Sequence, residues 1–254
     1  MTTTARTATA APTGPEPGGG DPLGGGRPEP PPDCPLCPRL AAFRDAQRQA
    51  EPDWFNAPVP PFGQGDAGLV VVGLAPGLRG ANRTGRAFTG DYAGEILYPA
   101  LARHGLARGR FAARPDDGFV LVGCRIVNAV RCVPPQNRPT PAEIATCRRF
   151  LAPHLPAGAG SAPPQRVVLP PRVVLALGRV AHESVVRAHG LTPGRLPFAH
   201  GGERPLPGGR TLLSSYHTSR YNVNTGVLTA EMFDVVVARA AALLRQGGRP
   251  AGGG

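Results

Sequence analysis

Residues 69–97, LVVVGLAPGLRGANRTGRAFTGDYAGEIL, contain the features that decide the fold of this chain. The segment opens with an apolar run, Leu69 to Val72, whose length and β-branched side chains are typical of a buried strand. A glycine-rich loop follows over 73–91, and a helical pattern begins near Asp91. A strand, such a loop and a helix N-terminus together turn backbone N–H groups towards a ligand. The segment therefore predicts a binding site beyond the end of a buried strand.

Strands and helices alternate along the rest of the chain. The other apolar runs with strand character lie near 119–127, 172–177 and 210–214, and 206–213 predicts a hairpin or an edge strand. Thr140 and Pro141 are predicted to cap and open one of the intervening helices. This alternation predicts an α/β sandwich with a mostly parallel sheet, whose ligands bind beyond the carboxyl ends of the strands. The loops predicted at that edge are 73–91, 128–132 and 214–226.

Composition sets the limits of the folded part. Residues 1–32 are rich in Thr, Ala, Pro and Gly and contain almost no large apolar side chain, so we predict a disordered tail. Residues 247–254 have the same character. Residues 33–246 are therefore predicted to form a single domain.

The net charge of +11 favours a polyanionic partner such as nucleic acid, although a basic protein without such a partner has the same composition. No apolar run approaches the length of a membrane span, and the N-terminus lacks the apolar core of a signal peptide. We therefore expect a cytoplasmic protein that does not enter the membrane.

Four of the five cysteines lie in two separated pairs. Cys34 and Cys37 form a C-x-x-C pair beside prolines in a predicted loop, and fourteen residues separate Cys132 from Cys147. Thiolates from two distant segments can form one Cys₄ site, which suits zinc or an iron–sulfur cluster. Cys124 lies within an apolar run and is predicted to be a core residue. The alternative is that all five are buried free thiols.

Polar residues surround His217, which directly follows a predicted strand. An imidazole in this position can donate a hydrogen bond to a developing anion, and a purely structural histidine is the alternative. Arg220 and Ser219 are candidates for phosphate contacts, which position a nucleic acid without reading its sequence. Asn222 belongs to the same group of polar side chains.

Three residues of the other two loops have one structural and one functional interpretation each. Phe88 can stack on a flat ligand or anchor its loop in the core. Asn128 ends an apolar strand, and its amide must be satisfied either by backbone groups or by the edge of a nucleobase. Asp91 can fill the N-cap of the following helix and can also take part in chemistry, and the two roles are compatible.

Five segments in order resemble the uracil-DNA glycosylase superfamily, most closely its type-b (family 5) iron–sulfur enzymes. They are GLAPG at 73–77, GANRTGRAFTGDYAG at 80–94, NAVRC at 128–132, TPAEIATC at 140–147 and HTSRYNVNTG at 217–226. The resemblance covers nearly the whole ordered chain. It implies a three-layer α/β/α sandwich around a short, mostly parallel central sheet. It also implies a [4Fe–4S] cluster, with zinc as the alternative, on Cys34, Cys37, Cys132 and Cys147.

The resemblance implies a monomeric enzyme that flips uracil, and other deaminated bases such as hypoxanthine, out of DNA and hydrolyses the N-glycosidic bond. It gives catalytic roles to Asp91, which positions water or stabilises the sugar cation, and to His217, which donates to the leaving base. One departure is Thr218, where the family usually has Pro. The implied base-binding residues are Gly73, Leu74, Phe88 and Asn128, and the implied DNA-binding residues are Ser219, Arg220 and Asn222.

Two other functions fit part of the sequence. A non-catalytic Cys₄ metal protein that binds nucleic acid would explain the charge and the cysteines, but it leaves Asp91 and His217 without a role. A nucleotide-binding α/β enzyme is disfavoured because the glycine-rich loop lacks both G-x-x-x-x-G-K-[ST] and G-x-G-x-x-G.

Overall fold

A six-stranded sheet forms the centre of the protein. The structure is a computed structural model that describes residues 28–155 and 172–246. Its strands are β1 (Phe62–Gly63), β2 (Leu69–Gly73), β3 (Ala107–Arg108), β4 (Val120–Leu121), β5 (Cys124–Asn128), β6 (Val173–Leu177), β7 (Glu203–Leu206) and β8 (Arg210–Ser215). The sheet order is β1-β5-β2-β6-β8-β7, and β3 pairs with β4 in a separate sheet. The four inner strands are parallel, and both edge strands run antiparallel to their neighbours.

Helices cover both faces of the sheet. The α-helices are α1 (Pro38–Ala50), α2 (Ala81–Thr84), α3 (Tyr92–Arg103), α4 (Pro141–Leu151), α5 (Arg179–Ala188), α6 (Arg220–Asn224) and α7 (Ala230–Gln246). Side chains of β2 alternate between two apolar clusters, since Val71 packs with α3 and α7 whereas Val70 packs with α5. The predicted three-layer α/β/α sandwich with a short, mostly parallel central sheet is confirmed.

Burial on both faces explains why the inner strands are apolar runs. Every residue of β2, β5 and β6 is buried, as in parallel sheets that carry helices on both sides.

At the start of α4, Thr140 Oγ1 accepts from the backbone N–H of Glu143, whose side chain accepts from the Thr140 N–H, so the predicted cap is confirmed. No helix in the described part of the chain is long and apolar enough to cross a membrane.

Three predicted boundaries differ from the structure. The run at 119–127 is divided between β4 and β5, because Gly123 has a φ of +58° and the chain passes from one sheet to the other there. The segment 206–213 belongs to the β7–β8 hairpin, in which β7 is the edge strand and β8 lies inside the sheet next to β6. The loop 73–91 contains the short helix α2.

The predicted tails fall mostly outside the described residues, since 1–27 and 247–254 are not among them. Residues 28–32 are described and contact the domain. One carboxylate oxygen of Glu29 accepts from Arg131 Nη2 at 2.6 Å, and the other lies 2.6 Å from His154 Nε2. These contacts tie the start of the described chain to the segment after β5 and to the end of the α4 region.

Candidate active site

The three predicted loops meet at the carboxyl edge of the sheet. Gly73 is the last residue of β2, Asn128 is the last residue of β5, and the two are register partners. His217 follows β8, which lies on the other side of β2 beyond β6. The parallel strands therefore place the predicted base-binding and catalytic loops side by side.

The missing side chain at Gly73 lets Phe88 and Asn128 meet. A Cβ atom at Gly73 would overlap both Asn128 Oδ1 and the Phe88 ring. Asn128 Oδ1 is buried and has no hydrogen-bond partner among the described residues. The ring centroid of Phe88 lies 6.1 Å from that of His217, and the two planes are inclined by 30°. An aromatic face, an unsatisfied amide oxygen and an imidazole are thus brought together.

Asp91 occupies the N-cap position of α3, as predicted, but the described residues offer its side chain no capping hydrogen bond. The carboxylate instead lies against Gly77 and Gly80, where an added Cβ atom would contact Oδ2. Asp91 Oδ1 is buried and unpaired within the described part of the chain. Burial raises the pKa of Asp91 above its ordinary value because it disfavours the charged carboxylate. Asp91 Oδ1 is therefore an acceptor that the described residues leave open.

One contact joins the loops that carry the acid and the imidazole. The Arg220 guanidinium lies 5.2 Å from the centroid of the Tyr92 ring. Tyr92, the first residue of α3, directly follows Asp91, and Arg220, the first residue of α6, lies three residues after His217. The segments that carry the two predicted catalytic residues therefore touch each other.

The loop around His217 is held by its own polar groups. Asn222 Nδ2 donates to the backbone oxygen of His217 at 2.8 Å, and Ser219 Oγ accepts from the Asn222 N–H at 3.3 Å. Burial lowers the pKa of His217 to about 4, because it disfavours the imidazolium ion. The ring is therefore neutral near pH 7 and can donate through one N–H.

A pocket of about 360 Å³ lies beside His217. Leu74 and Asn222 also line this pocket, whereas the other predicted site residues do not. Its volume falls within the range of pockets that bind small molecules or parts of larger ligands. The pocket therefore connects the imidazole with the N-terminus of α5, and Phe88 is not one of its lining residues.

Four cysteines line a second, separate cavity. Cys37 is the N-cap of α1, Cys147 lies in α4, and Cys34 and Cys132 complete the group. Burial and the neighbouring thiols raise the pKa of Cys132 to about 12 and that of Cys147 to about 11. Cys124 is fully buried in β5 and packs in the core instead.

Comparison with known proteins decides the family. The profile described as the uracil DNA glycosylase superfamily matches residues 60–241. A type-5 uracil-DNA glycosylase of Thermus thermophilus is 46% identical over 213 residues, which are 82% of this chain and 92% of that protein. This chain belongs to the type-5 uracil-DNA glycosylases.

Two further type-5 uracil-DNA glycosylases show the same breadth of similarity. The protein of Pyrobaculum aerophilum is 39% identical over 82% of this chain and 88% of its own length. The protein of Mycobacterium leprae is 40% identical over 79% of this chain and 87% of its own length. The resemblance to this family is therefore confirmed.

The cysteine cavity of this type-5 family member has the donors that a metal centre needs. Four soft thiolate donors from two segments suit zinc or an iron–sulfur cluster. Magnesium and calcium prefer carboxylate and carbonyl oxygens, so this set of donors does not suit them. As placed, however, no three or more of the described His, Cys, Asp and Glu residues form a group that could hold a metal ion. The metal centre stays a prediction.

Several residues of the site in this type-5 uracil-DNA glycosylase have no local sequence signal. Arg179, Phe198 and Tyr216 line the pocket beside His217, although the sequence did not single them out. Arg179 could have been found, because it opens a helix directly after the strand and Gly178. Phe198 reaches the pocket from the 191–202 loop, which no local pattern indicates.

Proposed function

We propose that this chain removes uracil from DNA by hydrolysing the N-glycosidic bond and leaving an abasic site. The observation that carries the proposal is the meeting of Phe88 and Asn128 at Gly73, with the His217 ring beside that of Phe88. Membership of a family whose relatives are named uracil-DNA glycosylases supports it.

The unpaired oxygen of Asn128 fits the edge of uracil. Uracil presents an N3–H donor, which can donate to Asn128 Oδ1, the buried oxygen that lacks a partner among the described groups. Cytosine presents an unprotonated N3 at this position, so the same oxygen repels it. Phe88 supplies a ring on which the extruded base can stack. The substrate thus completes a hydrogen bond that the protein leaves open.

Bond cleavage separates charge between the sugar and the base. The electron pair of the C1′–N1 bond leaves with the base, which becomes an anion, and the sugar becomes an oxocarbenium ion that water attacks at C1′. Neutral His217 donates a hydrogen bond to the anionic base, while the Asp91 carboxylate stabilises the cation and accepts the water proton. The raised pKa of Asp91 makes it a stronger base than an exposed aspartate.

The DNA strand is held by the rim of the site. Arg220 is exposed on α6, and Arg179 is exposed at the N-terminus of α5, where partial positive charge favours phosphate. Ser219 can donate its hydroxyl proton to phosphate while its oxygen accepts the capping hydrogen bond. The amide of Asn222 is used on the His217 backbone, so its contribution is to hold the loop.

The same proposal includes a [4Fe–4S] cluster, or zinc as the alternative, on Cys34, Cys37, Cys132 and Cys147. When bound, this group would supply four cross-links that hold the segment before α1 against the segment after β5 and against α4. Broad absorption at about 400 nm, together with iron in the purified protein, would support the cluster. A colourless protein that contains zinc would support the alternative.

The decisive experiment incubates the full chain with duplex oligonucleotides that carry one uracil and then cleaves abasic sites with alkali. We expect strand cleavage at uracil and none on a matched duplex with cytosine. We also propose hypoxanthine as a substrate, which a parallel duplex tests. We further propose that the protein is a monomer located in the cytoplasm. Chromatography with light scattering tests its oligomeric state, and cell fractionation tests its location. DNA binding without cleavage of any duplex would instead favour a non-catalytic Cys₄ nucleic-acid-binding protein.

A further inference from the structure

A buried ion pair anchors the loop that carries Phe88. Arg86 Nη1 and Nη2 donate to Asp117 Oδ1 and Oδ2, each at 2.8 Å. The two side chains are only 7% and 1% exposed, so this is a bidentate pair inside the protein. Asp117 also accepts from the backbone N–H groups of Ala112 and Phe119, which fixes the carboxylate on the 111–119 segment. These contacts hold the pKa of Asp117 well below its ordinary value.

The remaining faces of Arg86 are also occupied by protein. Its guanidinium carbon lies 5.1 Å from the centroid of the Phe62 ring and 5.7 Å from those of Tyr98 and Phe111. Its Nε donates to Thr89 Oγ1 at 2.7 Å. Because every part of the guanidinium is engaged and buried, Arg86 does not reach DNA. Its effect on the reaction must pass through the residues that it holds.

Arg86 and Thr89, which accepts its hydrogen bond, flank the predicted stacking residue Phe88. Phe88 has a φ of +53°. This left-handed conformation is costly for a residue with a side chain and persists only where its surroundings impose it. Thr84 Oγ1 adds a hydrogen bond to the backbone oxygen of Thr89 at 3.0 Å. The loop then continues directly to Asp91.

We propose that the Arg86–Asp117 pair is a positioning device for base excision, which holds Phe88 in its left-handed conformation and sets the path of the chain to Asp91. The inference rests on the proposed function. A buried ion pair is not required for stability, because well-packed apolar side chains of similar volume often serve equally well. Its fixed fork geometry can instead define where a loop lies. Displacing catalytic groups by about 1 Å costs about 100-fold in rate.

The test compares Arg86→Lys and Thr89→Val with the wild-type chain. Lysine keeps the positive charge but cannot form the bidentate pair and the Thr89 hydrogen bond together. Valine keeps the volume of Thr89 but removes the acceptor for Arg86 Nε. Val186→Ala is the control, because this buried α5 residue belongs to the apolar cluster on the other face of the sheet, whereas Phe88 belongs to the cluster under α3 and α7. The measurements are the single-turnover rate of uracil excision, the Kd for an undamaged duplex and the Tm.

We expect the excision rate to fall about 30- to 100-fold in Arg86→Lys and about 10-fold in Thr89→Val, with Kd unchanged within about twofold. The control should lower Tm and keep the wild-type rate at 25 °C. The inference is overturned if either loop variant keeps its rate within about twofold, or if its loss of rate is matched by a control of equal Tm. If Arg86→Lys does not fold, Thr89→Val decides alone. A wild-type chain that excises no uracil defeats the proposed function instead, and is thereby distinguishable.

Discussion

The candidate active site formed by Phe88, Asp91, Asn128 and the 217–222 segment, which we call the base site, and the cysteine cavity begin only a few residues apart, at Asn128 and Cys132. Their side-chain oxygens nevertheless differ in how well they are satisfied. In the base site the buried oxygens Asp91 Oδ1, Asn128 Oδ1 and Thr218 Oγ1 have no partner among the described residues. Beside the cysteine cavity the Glu143 carboxylate is fully used, because it accepts from Arg39 and from the Thr140 N–H. The cavity does have one buried donor, Arg131 Nη1, without a partner among the described residues, so the contrast concerns side-chain oxygens.

This difference fits the proposal that one site takes up a transient ligand and the other has a structural role. An unpaired buried polar atom costs free energy unless a ligand supplies its partner. The base site bears that cost at three oxygens, which the extruded base and water can satisfy. The carboxylate beside the cysteines bears no such cost, and its ion pair with Arg39 ties α1 to α4. The comparison predicts that changes in the base site affect rate, whereas changes in the cavity affect stability.

The largest expected effect is the loss of uracil excision rate in the Asp91→Asn variant. This isosteric change removes the carboxylate charge, so we expect the single-turnover excision rate to fall about 10²- to 10⁴-fold, with DNA affinity unchanged within about threefold. Glu95→Gln is the matched control, since Glu95 is an exposed carboxylate in the same helix. Equal rates for Asp91→Asn and wild type would remove Asp91 from the chemistry.

The next effect is on the metal content and stability of cysteine variants. We expect Cys132→Ala to lose the bound metal and to lower Tm by about 10 °C, because the cross-links between segments are lost. Cys124→Ala makes the same chemical change in the core and should keep the metal, with a Tm loss of only a few degrees. Metal retained by Cys132→Ala, measured by elemental analysis, would show that Cys132 is not a ligand.

The strand ends and the cysteine pairs could be predicted because their signals are local. An apolar run such as Leu69 to Val72 and a capping pair such as Thr140 and Glu143 depend only on neighbours in the chain. The left-handed conformation of Phe88 could not be predicted, because it depends on contacts made by residues far along the chain.

The Arg86–Asp117 pair shows the same limit, since the two residues are thirty-one positions apart and neither stands in a recognisable pattern. The division of 119–127 into two strands was also missed. Both halves are apolar, and only the left-handed backbone at Gly123 separates them. The residues that carry chemistry were therefore easier to predict than the residues that hold them in place.

A third test uses the pH dependence of excision, where Asp91 and His217 differ in direction. Burial raises the pKa of Asp91 and lowers that of His217 to about 4. As pH falls, protonation of Asp91 should make the rate decline with a midpoint above the ordinary aspartate value. His217→Gln should lower the rate but keep this midpoint. A midpoint that disappears in His217→Gln would instead assign the titration to the imidazole.

The smallest expected effect is a gain in stability for Asp91→Asn. A raised pKa means that the folded state binds the proton more tightly than the unfolded state, so stability falls as pH rises from the ordinary pKa to the raised one. Above that window the buried charge is a net cost, and its removal should raise Tm by about 2–4 °C near pH 7. The gain should shrink as pH is lowered towards the raised pKa. An Asp91→Asn variant that is less stable than wild type at neutral pH would mean that the carboxylate supports the fold. This result would contradict the contrast with the cysteine cavity, which assigns Asp91 a cost in stability.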